Sequence, residues 1–136
     1  MARRQSKVWV NGTFDVLHRG HIELLQFAST KGILRVGIDF DSRVKQLKGL
    51  TRPINIWKDR KYFLKSIRYV DSVVGFGSDE ELEEQIKLWK PDYMVVGSDY
   101  KDKRVIGSQY VENLLFFDRI GDFSTTNILS NKTLQK

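Results

Sequence analysis

Five short apolar runs punctuate the chain: Val8–Val10, Leu34–Ile38, Ser72–Phe76, Tyr93–Val96 and Leu114–Phe117. Their length and flanking turn residues read as strands. Between them, His21–Thr30, Lys58–Ile67 and Glu80–Trp89 carry apolar residues at helical spacing. The last is the most fully marked. Ser78 or Asp79 can cap its start, acids fill the first turn, and Leu82, Ile86 and Trp89 line one face. Lys87 and Lys90 close it and Pro91 stops it. Strands alternating with helices predict right-handed crossovers, hence an α/β fold with a mainly parallel, five-stranded sheet and helices on both faces. Ligands of such sheets bind beyond the carboxyl ends of the strands, where the strand order switches.

Composition narrows this picture in three ways. A chain of 136 residues is most simply one domain with a real core. Zero cysteines exclude a disulfide scaffold, and two histidines without cysteine leave a structural zinc site unsupported. The basic start has no long apolar stretch behind it, so neither a secretory signal nor a membrane span is expected and a cytoplasmic setting is the default. The net charge of +6 is also unevenly spread. Between Arg43 and Arg68 stand nine basic residues and a single acid, Asp59. Such a block suits a nucleic-acid patch, a solvated helix face or the lining of a site for a small polyanion.

The chemistry concentrates after the first strand, in Gly12-Thr13-Phe14-Asp15-Val16-Leu17-His18-Arg19-Gly20-His21. A strand, a glycine-containing turn and a helix start aim backbone N–H groups and the helix dipole at whatever lies above, which suits an anion. His18 and His21 fall on one helical face. As bare pattern, that turn is common in α/β proteins, and two such histidines also suit a surface or structural role.

The whole string is more specific. His-x-Gly-His after a strand, led in by G-T-F-D, resembles the cytidylyltransferase-like nucleotidyltransferases. The resemblance covers roughly residues 7–129. It implies a Rossmann-like nucleotidyltransferase domain over 7–130, with a basic tail at 1–6 and a C-terminal tail at 131–136. In that superfamily the two histidines embrace a nucleoside triphosphate, which would involve Gly12, Thr13 and Phe14 of the turn. Lys45 and Lys48 lie in V-K-Q-L-K-G, on either a short helical turn or a mobile loop, and by resemblance reach the phosphates. The stretch through Arg52-Pro53-Ile54-Asn55 is similar to heptose-1-phosphate adenylyltransferases, which share its K-x-L-K-G and R-P-x-N pattern.

Arg60 and Arg68 read as surface arginines by spacing, about 80° apart around a helix. D-R-K-Y-F and I-R-Y-V-D resemble the corresponding helix of glycerol-3-phosphate cytidylyltransferases, where the first arginine orders the site and the second approaches the nucleotide. Asp99, after Val96-Gly97-Ser98, reads as a turn cap or, by resemblance, as an acid near the base or ribose. Tyr100-Lys101 and Ile106-Gly107-Ser108 again look like the heptose enzymes. Ser124, Thr125 and Thr126 match an I-S-T-T segment whose helix start grips the triphosphate, with Phe123 in the isoleucine place. Arg119 matches the glycerol-3-phosphate enzymes, in which an arginine holds phosphate; heptose enzymes commonly lack it.

The implied reaction joins ATP or CTP to a sugar or polyol phosphate and releases pyrophosphate. ADP-heptose formation from heptose 1-phosphate is the leading assignment and CDP-glycerol formation the alternative. His18, His21, Lys45, Lys48 and Arg119 would act on the phosphates. Mg²⁺ is expected with the triphosphate, held through phosphates and water rather than by a protein metal site. The resemblance also implies a homodimer, and any kinase of the kind often fused to heptose enzymes would be a separate protein. No membrane or nucleic-acid partner is expected. A basic nucleic-acid-binding domain is the competing reading from another class, but the chain lacks a stacking platform of aromatics.

Overall fold

The computed structural model describes residues 5–118. Each apolar run forms a strand: β1 (Lys7–Gly12), β2 (Ile33–Asp39), β3 (Ser72–Phe76), β4 (Tyr93–Gly97) and β5 (Asn113–Phe117). All pairings are parallel, in the order β3-β2-β1-β4-β5. Four helices connect them: α1 (Arg19–Ser29), α2 (Asp41–Lys48), α3 (Trp57–Lys65) and α4 (Asp79–Trp89). The Ser78 hydroxyl accepts from the Glu81 N–H at 3.1 Å, so α4 carries the cap its sequence predicts.

Side-chain alternation along the strands sorts the core into two layers. Val8, Val10, Leu34, Val36 and Ile38 pack against Leu25 and Ala28 of α1 and Leu64 of α3. Trp9, Phe76 and Met94 point the other way, onto Leu82 and Ile86 of α4. Each fully buried aliphatic side chain contributes about 1.5–3 kcal/mol, so both sheet faces need their helices. Gly37 makes room for this packing, since a Cβ there would lie 2.5 Å from the Trp9 ring.

Two expectations change. The segment read as a short helical turn or a mobile loop is helical and longer than one turn: it is α2, which buries only Val44. The second predicted helix, Lys58–Ile67, begins at Trp57 and ends at Lys65, short of Ile67. No helix among the described residues is long and apolar enough to cross a membrane.

The sheet is not evenly stitched. β1 stays in register with β2 from Lys7↔Ile33 to Gly12↔Ile38. Against β4 it pairs only at Val8↔Tyr93 and Trp9↔Met94. Beyond those pairs β1 and β4 part, at the place where the strand order reverses direction, and a crevice opens between their carboxyl ends.

Candidate active site

The motif turn forms one lip of that crevice. Phe14 takes φ +50°, a left-handed conformation that costs a non-glycine residue about 1–2 kcal/mol. Its ring is buried and meets the His21 ring edge-on at 5.1 Å between centroids. The fold thereby holds the turn in a conformation that short peptides avoid. His18 caps α1, and the His21 Nδ1 accepts the His18 backbone N–H at 3.2 Å. This bond places the proton of a neutral His21 on Nε2, making that nitrogen a hydrogen-bond donor. The two imidazoles stack with centroids 3.8 Å apart.

Asp15, only 2% exposed, ties this turn to a distant loop. Its Oδ2 accepts from the Ile54 N–H at 2.7 Å and from Arg52 Nε at 2.9 Å, and its Oδ1 accepts from the Asn55 N–H at 2.8 Å. Asn55 Nδ2 donates back to the Asp15 carbonyl at 2.6 Å. Burial pushes the Asp15 carboxyl up, but the amides of Asn55 and Ile54 and the Arg52 guanidinium outweigh it and hold it below the usual aspartate value. Asp15 is therefore an ionised structural acceptor and not a proton carrier.

Arg60 completes the tie. It is fully buried and donates to the Asn55 carbonyl at 2.9 Å, the Thr13 carbonyl at 3.0 Å and Asp41 Oδ1 at 2.7 Å. The spacing predicts a surface arginine, and the structure corrects that. One guanidinium joins the motif turn, the start of α2 and the loop before α3. With its three kinds of nitrogen each engaged by protein oxygens, Arg60 orders the site and does not itself reach a phosphate.

Opposite the turn, α2 forms a second wall. Asp39, at the end of β2, accepts from Thr13 Oγ1 at 3.1 Å and from Arg43 Nε at 2.7 Å. Arg43 also donates through Nη2 to Asp79 at the start of α4. Burial raises the Asp39 carboxyl above its ordinary value, against the pull of Arg43, Thr13 and Arg60. The basic block is thus partly neutralised at home, since Arg43, Arg52 and Arg60 all pair with aspartates. Lys48, on the last turn of α2, lines the cleft. Burial and then Arg52 draw its ammonium below the ordinary lysine value, and Asp39 and Asp15 act against them.

The cleft encloses about 410 Å³. Gly12, Thr13, Phe14, His21, Lys48 and Asp99 line it, with Asp39 and Arg43 beneath α2 and Tyr100, Arg104 and Ile106 on the β4 side. Six of the ten expected residues that fall within the described part thus line one cleft; His18 stacks on His21 and is not itself in the lining. Lys45 is not among the lining; it is exposed, and its Nζ donates to the Arg52 carbonyl at 3.3 Å. Arg68 is a further correction. It lies past the end of α3 and just before β3 begins, at the amino-terminal edge of the sheet, remote from the carboxyl ends. Its guanidinium instead covers the Tyr69 ring and donates to the Tyr69 hydroxyl at 3.1 Å. Arg119, Ser124, Thr125 and Thr126 lie outside the described residues.

Sequence reasoning passed over Asp15, Asp39, Arg43 and Arg52 as site residues. The R-P-x-N pattern was the available signal for the partners of Asp15. Asp39 could have been found as the acid that ends a strand pointing at the cleft.

An all-parallel open sheet with a histidine turn at its switch point defines a nucleotide-handling α/β domain. The family model described as cytidylyltransferase-like matches residues 9–127, and the chain belongs to that family. It is accordingly a nucleotidyltransferase. A bifunctional protein HldE of Sulfurimonas denitrificans is 45% identical over 130 residues, covering 95% of this chain and 26% of that protein. The HldE of Helicobacter pylori is 43% identical over 131 residues, covering 95% of this chain and 28% of its own length. The chain thus spans little more than a quarter of the curated relatives it matches. Among solved structures, a lipopolysaccharide core biosynthesis protein from Thermoplasma volcanium aligns with TM-score 0.66 and 22% identity, over 89% of this chain and 100% of that one. A pantoate-beta-alanine ligase from Francisella tularensis, complexed with beta-gamma ATP and beta-alanine, aligns with TM-score 0.63 and 16% identity, over 100% of this chain and 72% of that one. At those identities the likeness is one of fold.

Proposed function

We propose that this domain transfers an adenylyl group from ATP to heptose 1-phosphate, yielding ADP-heptose and pyrophosphate. The observation that carries the reaction class is the meeting of His21, with His18 stacked on it, and Lys48 at one cleft at the switch point. The choice of substrates rests on the resemblance of the Lys45–Asn55 segment to heptose-1-phosphate adenylyltransferases and on the HldE relatives.

In the reaction, an oxygen of the acceptor phosphate forms a bond to the α-phosphorus. The bond from that phosphorus to the bridging oxygen breaks, and the electron pair leaves with pyrophosphate. A phosphate monoester is already anionic near neutrality, so no general base is needed. The protein's task is to hold two polyanions in line and to stabilise charge as it shifts to the leaving group. His21 Nε2–H and His18 face the phosphates from α1, and Lys48 answers from α2. Asp99, on the opposite wall, suits the ribose or base.

Among the described residues no cluster of three or more histidines and carboxylates stands together. This fits Mg²⁺ that is held chiefly by the triphosphate and water, with Asp99 the exposed carboxylate lining the cleft. The ion's contribution is to neutralise phosphate charge.

Pyrophosphate release, measured for ATP and CTP against heptose 1-phosphate and glycerol 3-phosphate, tests the assignment. Turnover with ATP and heptose 1-phosphate is expected. Turnover with CTP and glycerol 3-phosphate alone would replace it with the cytidylyltransferase reading, and no turnover with any pair would remove both.

A further inference from the structure

The segment from α2 to α3 crosses the cleft as a strap fastened at its two ends. At one end, Arg43 is bound to Asp39 and Asp79. At the other, Arg52, Ile54 and Asn55 are bound to the Asp15 carboxylate. Between these anchors α2 carries the chain as far as Lys48, with Val44 buried beneath it. Past the helix the chain is held more lightly: Gly49 takes φ +102°, with open space where a Cβ would stand, and Leu50 is 87% exposed. There the Arg52 N–H donates to the Gly49 carbonyl at 3.2 Å, and Lys45 Nζ to the Arg52 carbonyl. Lys48 sits within this span and reaches the cleft from it.

Asp15 has no part in the chemistry. It is buried, ionised and saturated by donors. Yet it belongs to the same turn that carries Thr13 and Phe14 and leads into His18. The Asp15 carboxylate therefore joins the histidine turn to the far end of the strap that bears Lys48, beside the link that Arg60 makes from Thr13 to Asn55.

We propose that Asp15 is the positioning residue for Lys48, fixing the distance between the lysine and the histidine pair so that both meet one triphosphate. This rests on the nucleotidyl-transfer reading of the cleft. Asp15 acts by geometry: a ligand-contacting group displaced by about 1 Å can lose about a hundredfold in rate. With Asp15 neutralised, one of its donors faces an amide and the ion pair to Arg52 is gone, so the strap's end is loosened at Arg52 and Ile54 while Arg60 still holds Asn55.

A double-mutant cycle with a second, turnover-independent readout tests the proposal. In Asp15→Asn, kcat for pyrophosphate release should fall between about 10- and 100-fold, with KM for ATP changed less than about threefold. In a Lys48→Ala background the same substitution should add almost nothing, because the group it positions is absent. Losses that multiply in the double variant would overturn the proposal. Separately, the Lys48 ammonium should be titrated by NMR. If Asp15 positions it, Asp15→Asn lets Lys48 leave its partly desolvated place beside Arg52, and its titration returns towards the ordinary lysine range. If Asp15 acts only as a nearby charge, its loss leaves Lys48 unchanged or draws it lower, which also overturns the proposal. Arg52→Gln loosens the same anchor from the other side and serves for both measurements should Asp15→Asn not fold. Wild-type protein that releases no pyrophosphate would remove the functional reading, and the Lys48 titration would still decide the positioning.

Discussion

His18 and His21 lie face to face, their planes 21° apart, and a backbone-to-ring bond from the first to the second fixes their mutual orientation. The pair is part of the helix start as well as of the cleft, so the two substitutions should differ. His18→Ala should lower turnover by about 10²-fold or more, the loss of one preorganised donor, with little change in thermal stability. His21→Ala should lower turnover comparably and also cost about 0.5–2 kcal/mol of stability, because the N-cap amide loses its acceptor. Pyrophosphate release and chemical denaturation check the two effects. Equal stability of the two variants would reject the capping role of His21.

Arg60 is the least replaceable charged side chain among the described residues. Lysine keeps the charge but offers one nitrogen to three acceptors on three segments. Arg60→Met should destabilise the fold by about 3–5 kcal/mol, since Asp41 and two backbone carbonyls lose their donor together. Arg60→Lys should recover only part of that. Urea denaturation of both variants measures it, and a change near zero for Arg60→Met would mean that the network is dispensable.

Asp15 also sets an acid limit on stability. Its folded value lies below the ordinary 3.8, so its contribution is complete above that pH and is lost as the pH falls towards the depressed value. Asp39 works in the opposite sense. Its folded value is raised, so its burial weighs against the fold at neutral pH and is relieved as the carboxyl protonates on acidification. Denaturation midpoints followed from neutrality to below 3.8 should show Asp15→Asn without the steep acid loss of the wild type. Parallel curves for the two proteins would remove Asp15 as its source.

Gly37 gives a purely steric test. A methyl group there would stand 2.5 Å from one Trp9 ring carbon and 2.9 Å from the next. Trp9 is wholly buried and its Nε1–H donates to Asn11 Oδ1 at 2.9 Å, so the ring has little freedom to retreat. Gly37→Ala should cost about 1–3 kcal/mol by overpacking. Thermal unfolding would show it, and an unchanged midpoint would mean that the indole yields.

The strands were legible because each is a short apolar run in a parallel sheet, most deeply buried in β1 and β2, a pattern that local sequence writes directly. α1 and α4 were legible for the complementary reason: each lays one apolar stripe on that sheet. α2 was not, because it arches over the cleft with only Val44 turned inward and so leaves no periodic stripe to read. Arg60 looked like a surface residue because the oxygens that make its burial tolerable belong to Thr13, Asp41 and Asn55, the first 47 positions away. Asp15 was passed over likewise, since its partners stand 37 to 40 residues downstream. Arg68 was misplaced by two residues' worth of helix: with α3 ending at Lys65, it falls on the opposite edge of the sheet. Residues that line the cleft after the first strand were readable from a local motif; residues that hold that motif in place were not.

The early parting of β1 from β4 has a consequence for how such a domain can change. Because the opening follows from where the ladder stops, at Trp9↔Met94, its width is set by backbone and not by the side chains along its rim. Substitutions at Tyr100, Arg104 and Ile106 would therefore alter the lining of the cleft and leave the backbone of its mouth in place. The fork belongs to the sheet, and the rim to the side chains set along it.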